Sequence, residues 1–421
     1  MWQNKGLFHL FINVSSRLSP KVKKLIIVNI INPFFTLSLQ SSQEVTEKDK
    51  NKLLLQKAKM TMESKDELYY IATDLLRKLI QTPSISRDEE AAAQLVHDTL
   101  AQQGFTSRRI GNNVWTLAQP YDPTKPTLLL NSHLDTVKPA ASWIRDPFTP
   151  VEEEGRLYGL GSNDAGASVV SLLGAFLFLA STEQPYNLIF LASAEEEVSG
   201  ANGIALALSE LPPVDFAVVG EPTTMRPAIC EKGLLVLDCT THGKSGHAAR
   251  EEGINALYLA TEAIERLRRF EFPLVSPWLG RVKLTVTQIQ AGTQHNVVPD
   301  HCDFVIDLRT NDCYSNAQAV EILRENFPDI TITPRSLRLN SSSLSPQHPF
   351  IRRCTLAGRE PFGSPTLSDQ THMTFPSVKI GPGDSARSHT ADEYIVLDEI
   401  REAIELYICL LDQLEIGKES V

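Results

Sequence analysis

His133 and Asp135 stand two residues apart in Asn131-Ser132-His133-Leu134-Asp135-Thr136, directly after the apolar run Leu128-Leu129-Leu130. In an extended segment that spacing sends both side chains to one side, so Asp135 is placed to orient a neighbouring imidazole, as carboxylates do around metal-ligating histidines. Taken alone, the pair fits an ordinary surface loop equally well. Asp164 lies in the small-residue stretch Gly159-Leu160-Gly161-Ser162-Asn163-Asp164-Ala165-Gly166, ahead of a long apolar segment, where an acid either caps a helix or bridges two cations. Glu195-Glu196-Glu197 follow the apolar run Asn187–Leu191. A charge run is usually a solvated face, but adjacent carboxylates at the end of a buried strand repel one another unless protons or a cation compensate. Glu221 stands in Gly220-Glu221-Pro222-Thr223 after Val218-Val219, and His389 closes Gly381-Pro382-Gly383-Asp384-Ser385-Ala386-Arg387-Ser388-His389. Turn capping and a satisfied histidine explain these last two singly. The ordered conjunction of all five, each just past a strand-like or Gly-rich segment, shifts the odds toward a metal site.

The segments that must position these groups alternate between strand and helix. Helical spacing of Leu68, Ile71, Leu75, Leu76, Leu79 and Ile80 predicts a helix stopped at Thr82-Pro83-Ser84, and a second runs from about Glu89 to Gln103, closed by Gly104. Strands are expected at 127–130, 187–191 and 216–219, with a helix over 167–180 between them. That alternation indicates an α/β core whose functional groups gather at the carboxyl ends of the strands. Past Lys232 the character changes: strands at 234–239, 281–289 and 303–308 with helices at 255–269 and 317–326 read as a small α+β sandwich. After Ser341-Ser342-Ser343 the chain rejoins the first unit and ends in a helix from Leu397 to about Leu414. The expected organisation is therefore a catalytic domain over 63–231 and 342–421, interrupted by an inserted domain over 232–341.

Residues 1–62 differ from the rest. An apolar run from Leu25 to Leu39, behind Lys21, Lys23 and Lys24, is broken by Asn29, Asn32 and Pro33 and falls short of the roughly 20 apolar residues of a membrane span. It reads as a disordered or artefactual extension, with Met60 or Met62 opening the domain proper and a targeting segment as the alternative. The 421 residues carry 40 Lys+Arg against 51 Asp+Glu, a net charge of −11 that offers a nucleic acid no broad basic footprint. Six cysteines without a C-x-x-C pair suit free thiols in the cytoplasm rather than a secreted disulfide framework. No nucleic-acid or membrane partner is expected.

From about Glu63 to the C-terminus the sequence resembles the M20 zinc-dependent amidohydrolases and exopeptidases, the group holding acetylornithine deacetylase, succinyl-diaminopimelate desuccinylase and carboxypeptidases. The resemblance implies a zinc-peptidase-like catalytic domain, a mixed sheet flanked by helices, with the inserted sandwich acting as a lid and dimerisation domain. It implies two Zn²⁺ per subunit, with Co²⁺ able to substitute: His133 and Glu221 on one, Glu197 and His389 on the other, and Asp164 bridging them. Glu196 matches the general base. In Gly243-Lys244-Ser245-Gly246-His247-Ala248-Ala249, His247 matches a histidine that reaches a partner subunit's site to stabilise the oxyanion. Asn296 and Arg309 match substrate-binding positions, Arg309 being suited to a bidentate grip on an α-carboxylate. The chain departs from the family pattern at Ala165-Gly166, which lacks a lysine found in many relatives, at Ser199 where glycine is common, and at Arg250 where proline often stands.

The expected activity is removal of an acyl group from a small N-acyl amino acid by a homodimer, with acetylornithine or an N-acylcitrulline or N-acylornithine of arginine biosynthesis as the favoured substrate. Succinyl-diaminopimelate desuccinylase and a dipeptidase or carboxypeptidase share the same chemistry. A catalytically silent metal-binding scaffold is the alternative from another class, and loss of Glu196 is its expected mark; Glu196 is present.

Overall fold

The computed structural model describes residues 62–417, so the extension read for residues 1–62 lies outside the described residues but for Met62. Nine strands form one sheet. In spatial order these are Arg108–Ile110, Asn113–Leu117, Asn187–Ser193, Thr127–His133, Phe216–Val219, Ser377–Lys379, Ala228–Glu231 and Ser342–Ser343, with Phe362–Ser364 pairing beside Ala228–Glu231. The four central strands run parallel, in registers such as Leu129 opposite Ile189 and Ala217, and Val378 opposite Val218. Strand Asn113–Leu117 adds antiparallel, making the sheet mixed.

Thr127–His133 and Asn187–Ser193 are buried along their whole length, which is why they read as continuous apolar runs rather than alternating ones. Successive side chains still go to opposite faces. Leu128 and Leu130 join the larger core with the helices Met62–Gln81, Ala167–Ala180 and Leu397–Leu411, while Leu129 joins Trp115, Ile189 and Leu191 against Ile204 and Ala207 on the other face. The window Ser162–Ala180 is apolar enough to cross a bilayer by composition, but 83% of it is buried inside this core.

A separate four-stranded antiparallel sheet, ordered Lys283–Ala291, His301–Arg309, Leu235–His242 and Thr331–Pro334, carries the helices Ala256–Arg269 and Asn316–Asn326. Its inner strands alternate: Leu235, Leu237, Cys239 and Thr241 are buried, and their neighbours are not. The apolar side chains of this unit form their own core. Asn255 caps the first helix through Leu257 N–H, and Ser315 with Gln318 forms a capping box on the second. The connection that leaves this unit is tied down where the Thr371 hydroxyl, in the short turn Asp369–His372, donates to the Asn340 carbonyl at 3.1 Å.

Two expectations are adjusted. The last helix ends at Leu411 rather than Leu414. Asp164 does not cap the helix that follows it, because Gly166 takes the cap position without a side-chain bond.

Candidate metal centre

The parallel strands bring their carboxyl ends to one edge, and four of the five nominated segments leave from that edge. His133 is the last residue of its strand; Glu196 and Glu197 follow Ser193, Glu221 follows Val219, and His389 follows Lys379 through the Gly381-Pro382-Gly383 turn. Asp164 arrives from the kinked turn Ser162–Gly166 ahead of the central helix. The glycines permit this crowding. A Cβ on Gly381 would lie 2.5 Å from the Glu221 carbonyl oxygen, and Gly383, at φ 81°, would drive one to 2.2 Å from Asn163 Oδ1.

Five side chains converge as two triads that share Asp164. His133, Asp164 and Glu221 offer ligand atoms within 4.8 Å of one another, and so do Asp164, Glu197 and His389. His133 Nε2 lies 3.3 Å from Asp164 Oδ1 and 3.7 Å from Glu221 Oε1. His389 Nε2 lies 3.0 Å from Glu197 Oε2 and 3.7 Å from Asp164 Oδ2. Glu196 belongs to neither triad, yet its Oε2 is 4.0 Å from His133 Nε2. The three consecutive acids therefore diverge: Glu195 turns back to accept from Asn202, Glu196 faces His133, and Glu197 faces His389. Left-handed conformations at Glu195 and Ser199 bracket that turn, so the common glycine at position 199 answers to a positive φ of 45° that this chain meets with serine.

Asp135 meets the His133 ring through its main chain as well as through its carboxylate. His133 Nδ1 lies 2.9 Å from the carbonyl oxygen of Asp135 and 3.5 Å from its carboxylate, so the main chain orients the ring. A carbonyl can only accept, which puts the proton of a neutral ring on Nδ1 and leaves the Nε2 lone pair facing the acids. The Asp135 carboxylate also accepts the backbone N–H groups of Glu196 (2.9 Å) and Glu197 (3.1 Å) and the Ser86 hydroxyl (2.7 Å). It fixes the turn that carries the candidate base and one candidate ligand.

Three supporting residues were missed from the sequence. Buried Glu393 accepts the N–H groups of Gly161 (3.1 Å), Asn163 (2.8 Å) and Asp164 (2.8 Å), holding the Asp164 turn as Asp135 holds the glutamates. Asp369 accepts from Asn131 and Ser193 beneath two strand ends, at 2.8 and 2.6 Å. Glu393 had one legible signal, an acid immediately before the apolar strand Tyr394–Val396; Ser86 and Asp369 had none.

His247, Asn296 and Arg309 are not brought to this cluster and do not line the cleft beside it. His247 and Asn296 share a short antiparallel ribbon, Gly246–His247 against Val297–Val298, where Ala248 N–H donates to the Asn296 carbonyl at 3.0 Å; both side chains are exposed. Arg309 is engaged by Asp307 through two bonds of 2.8 and 3.1 Å.

The donor set fits a pair of divalent cations. Imidazole nitrogens and carboxylate oxygens, without thiols, suit borderline to hard dications. Without them the acids oppose one another. Burial pushes the Glu221 carboxyl up to about 8, against the pull of His133 and with the push of Asp164. Burial also drives Glu196 well above the usual carboxylate range, reinforced by Glu221, Asp369 and Glu197. The bond to Glu197 lifts His389 to about 9 despite partial burial. Burial favours neutral His133, but the surrounding acids overrule it and hold its pKa well above 6.5.

Each of those protons competes with a cation for the same lone pair, and a protonated imidazole has none to give. Cation uptake at pH 7 is therefore expected to release protons, and affinity to climb from about pH 6 toward 9 before levelling. Calorimetry in buffers of different ionisation enthalpy measures this. Uptake without proton release, at an affinity independent of pH, contradicts the charge arrangement described.

Residues 129–413 match the family model described as Peptidase family M20/M25/M40. Among solved structures, aminopeptidase PepT from Bacillus cereus is similar at 17% identity, covering 82% of this chain and 98% of that one, with a TM-score of 0.66. A tripeptidase from Staphylococcus aureus gives 18% identity, 82% and 97% coverage and a TM-score of 0.65. The YXEP protein of Bacillus subtilis, described as a dinuclear metal-binding peptidase from the M20 family, gives 15% identity, 82% and 98% coverage and a TM-score of 0.65. At these identities the likeness is one of fold, while the family model spans well over half of the sequence. The chain belongs to peptidase family M20/M25/M40.

Proposed function

We propose that this protein hydrolyses the amide bond of a small N-acyl amino acid, using two Zn²⁺ ions held by His133 with Glu221 and by Glu197 with His389, Asp164 serving both. Co²⁺ is expected to substitute. The observation that carries the reading is the position of Glu196, a largely buried carboxyl 4.0 Å from the His133 ring yet free of both ligand triads. Cations at such a donor set polarise a carbonyl and lower the pKa of water toward about 7. Glu196 then takes a proton from the water attacking the carbonyl carbon and delivers it to the nitrogen as the C–N bond breaks, giving a carboxylate and an amine.

The cleft beside the triads, about 460 Å³, supports a substrate of amino-acid size. Acetylornithine, or an N-acylcitrulline or N-acylornithine of arginine biosynthesis, remains the favoured choice on the motif resemblance. A di- or tripeptide is the second reading, favoured by the names of the aminopeptidase and tripeptidase of like fold. A hydrolysis screen of zinc-loaded protein against acetylornithine, acetylcitrulline, succinylated amino acids, and di- and tripeptides tests both. Preference for an acetylated amino acid by kcat/KM supports the first; preference for free peptides replaces it with the second.

A homodimer through residues 232–341 belongs to the same proposal. Its support is the exposed apolar set Ile254, Tyr258, Leu259, Ile289 and Val297 on that unit, with His247 and Asn296 exposed and away from their own chain's cleft. Residence in the cytoplasm is likewise proposed, in keeping with cysteines that form no disulfide among the described residues. If His247 serves the partner's site, mixing inactive His247→Ala and Glu196→Ala proteins is expected to restore about one quarter of wild-type activity, since each mixed dimer regains one intact site. No recovery after verified subunit exchange rejects action across the interface.

A further inference from the structure

The turn that carries Glu196 and Glu197 begins and ends on left-handed residues, Glu195 at φ 54° and Ser199 at φ 45°. Side chains with a Cβ resist that conformation, so it persists only where the surroundings fix it. At Glu195 they do so from several sides. Its N–H donates to Glu89 at 3.2 Å, its carboxylate accepts from Asn202, and Gly200 packs so closely that a Cβ there would lie 1.8 Å from Glu195 Oε2. Mid-turn, Asp135 holds the N–H groups of Glu196 and Glu197.

Ser199 has less to hold it. Its N–H donates to the Glu196 carbonyl at 2.8 Å, and its hydroxyl makes no hydrogen bond among the described residues. The grip from outside the turn comes from Arg338, whose Nη2 donates to the Ser199 carbonyl across 139 positions of sequence. That carbonyl belongs to the peptide that ψ of Ser199 orients, here at 48°, so a fixed donor on it selects the left-handed rotation over the right-handed one.

Arg338 is exposed, pairs with no carboxylate among the described residues and lines no part of the cleft. Its root is firm. The neighbouring Leu339 carbonyl accepts from Leu234 N–H at 3.0 Å and from Asn316 Nδ2 at 2.8 Å, and the Arg338 carbonyl accepts Asn340 N–H at 3.0 Å. The guanidinium therefore reaches from the inserted unit to the glutamate turn, and among the described residues no other member of 232–341 hydrogen-bonds residues 195–200.

We propose that Arg338 is a positioning residue for the reaction: it holds Ser199 left-handed and so keeps Glu196 beside the His133 ring, touching neither substrate nor cation. The proposal rests on the amide-hydrolase reading above, in which Glu196 is the base. Through this one donor the inserted unit contributes to the metal-binding edge of its own chain.

The test uses the zinc-loaded full chain on the best amide of the screen above, with circular dichroism as the control for folding. R338Q is expected to lower kcat about 10-fold while KM and zinc content stay nearly unchanged, the signature of a displaced base. R338K, which still donates to a carbonyl, is expected to keep most of kcat. The deciding comparison adds Ser199→Gly, because glycine takes the left-handed conformation freely. S199G alone is expected near wild type, and R338Q in the S199G background to come within about 3-fold of S199G alone, since the two positions are coupled. An arginine that served only the stability of the inserted unit gives no such rescue. Unchanged kcat in R338Q overturns the proposal, as does an equal loss with and without S199G, or a loss matched by lost zinc.

A wild-type protein that hydrolyses no amide sinks the hydrolase reading by itself, and hydrogen exchange then decides on Arg338. The N–H groups of Ser199 and Gly200, each bonded within the turn at 2.8 Å, are expected to exchange about 10-fold faster in R338Q. Unchanged exchange at both overturns the tether.

Discussion

Glu196→Ala is expected to keep its two cations and lose turnover by about 10²–10⁴-fold, the range of a positioned general acid–base group. The two halves of that result come from separate parts of the geometry. Neither triad includes Glu196, so the ligand set survives its removal. The backbone there is held independently of the side chain, since the N–H groups of Glu196 and Glu197 both donate to Asp135 and Glu197 stays aimed at His389. What disappears is a carboxyl that lines the cleft and has no ligand duty in either triad. Steady-state kinetics together with elemental analysis read both halves. Unchanged kcat refutes the general-base role, and loss of cations moves Glu196 into the ligand set.

Asp164→Ala is expected to do the reverse and abolish cation retention at both triads, with activity falling to background. Asp164 is the only side chain common to the two groups: Oδ1 lies 3.3 Å from His133 and Oδ2 3.7 Å from His389. Removing it withdraws the one negative charge the two sites share and leaves each with a single carboxylate and a single imidazole, fewer donors than tetrahedral ligation needs. The fold is expected to stand, because Glu393 binds the backbone of this turn rather than its side chain. Chelator competition and circular dichroism separate the two effects. Retention of two equivalents by the variant is incompatible with a shared ligand.

The parts of this architecture that were legible from sequence are those where burial leaves a long apolar signature. Thr127–His133, Asn187–Ser193 and Phe216–Val219 are buried on both faces and read as uninterrupted apolar runs. The helix Ala167–Ala180 was equally plain, with twelve of its residues buried. Short members of the two sheets carry too few residues for any period to show. Arg108–Ile110 and Ser377–Lys379 have three residues each, and Thr331–Pro334 ends in a proline that argues against a strand unless it is at an edge, where it in fact lies.

Candidate ligands could be read because their motifs are local and recur in order; their supports could not, because those contacts join residues far apart in the chain. Glu393 reaches back over 200 residues to the Asp164 turn, and Asp369 over 176 to Ser193. A buried Glu231–Lys379 pair is likewise invisible until two strands meet. Spacing showed only part of what Asp135 does. The alternation of side chains in an extended segment places its carboxylate beside His133, but the nearer and better bond comes from its main-chain carbonyl, freeing the carboxylate for the glutamate turn.

Everything proposed for catalysis requires two cations in two places. Reconstituting the apoprotein with Zn²⁺, and then recording anomalous diffraction at the zinc edge alongside elemental analysis, measures that requirement directly. The account predicts two equivalents per chain, one density peak among His133, Asp164 and Glu221 and a second among Asp164, Glu197 and His389. Substoichiometric uptake, or peaks bound elsewhere with these five side chains uninvolved, contradicts it.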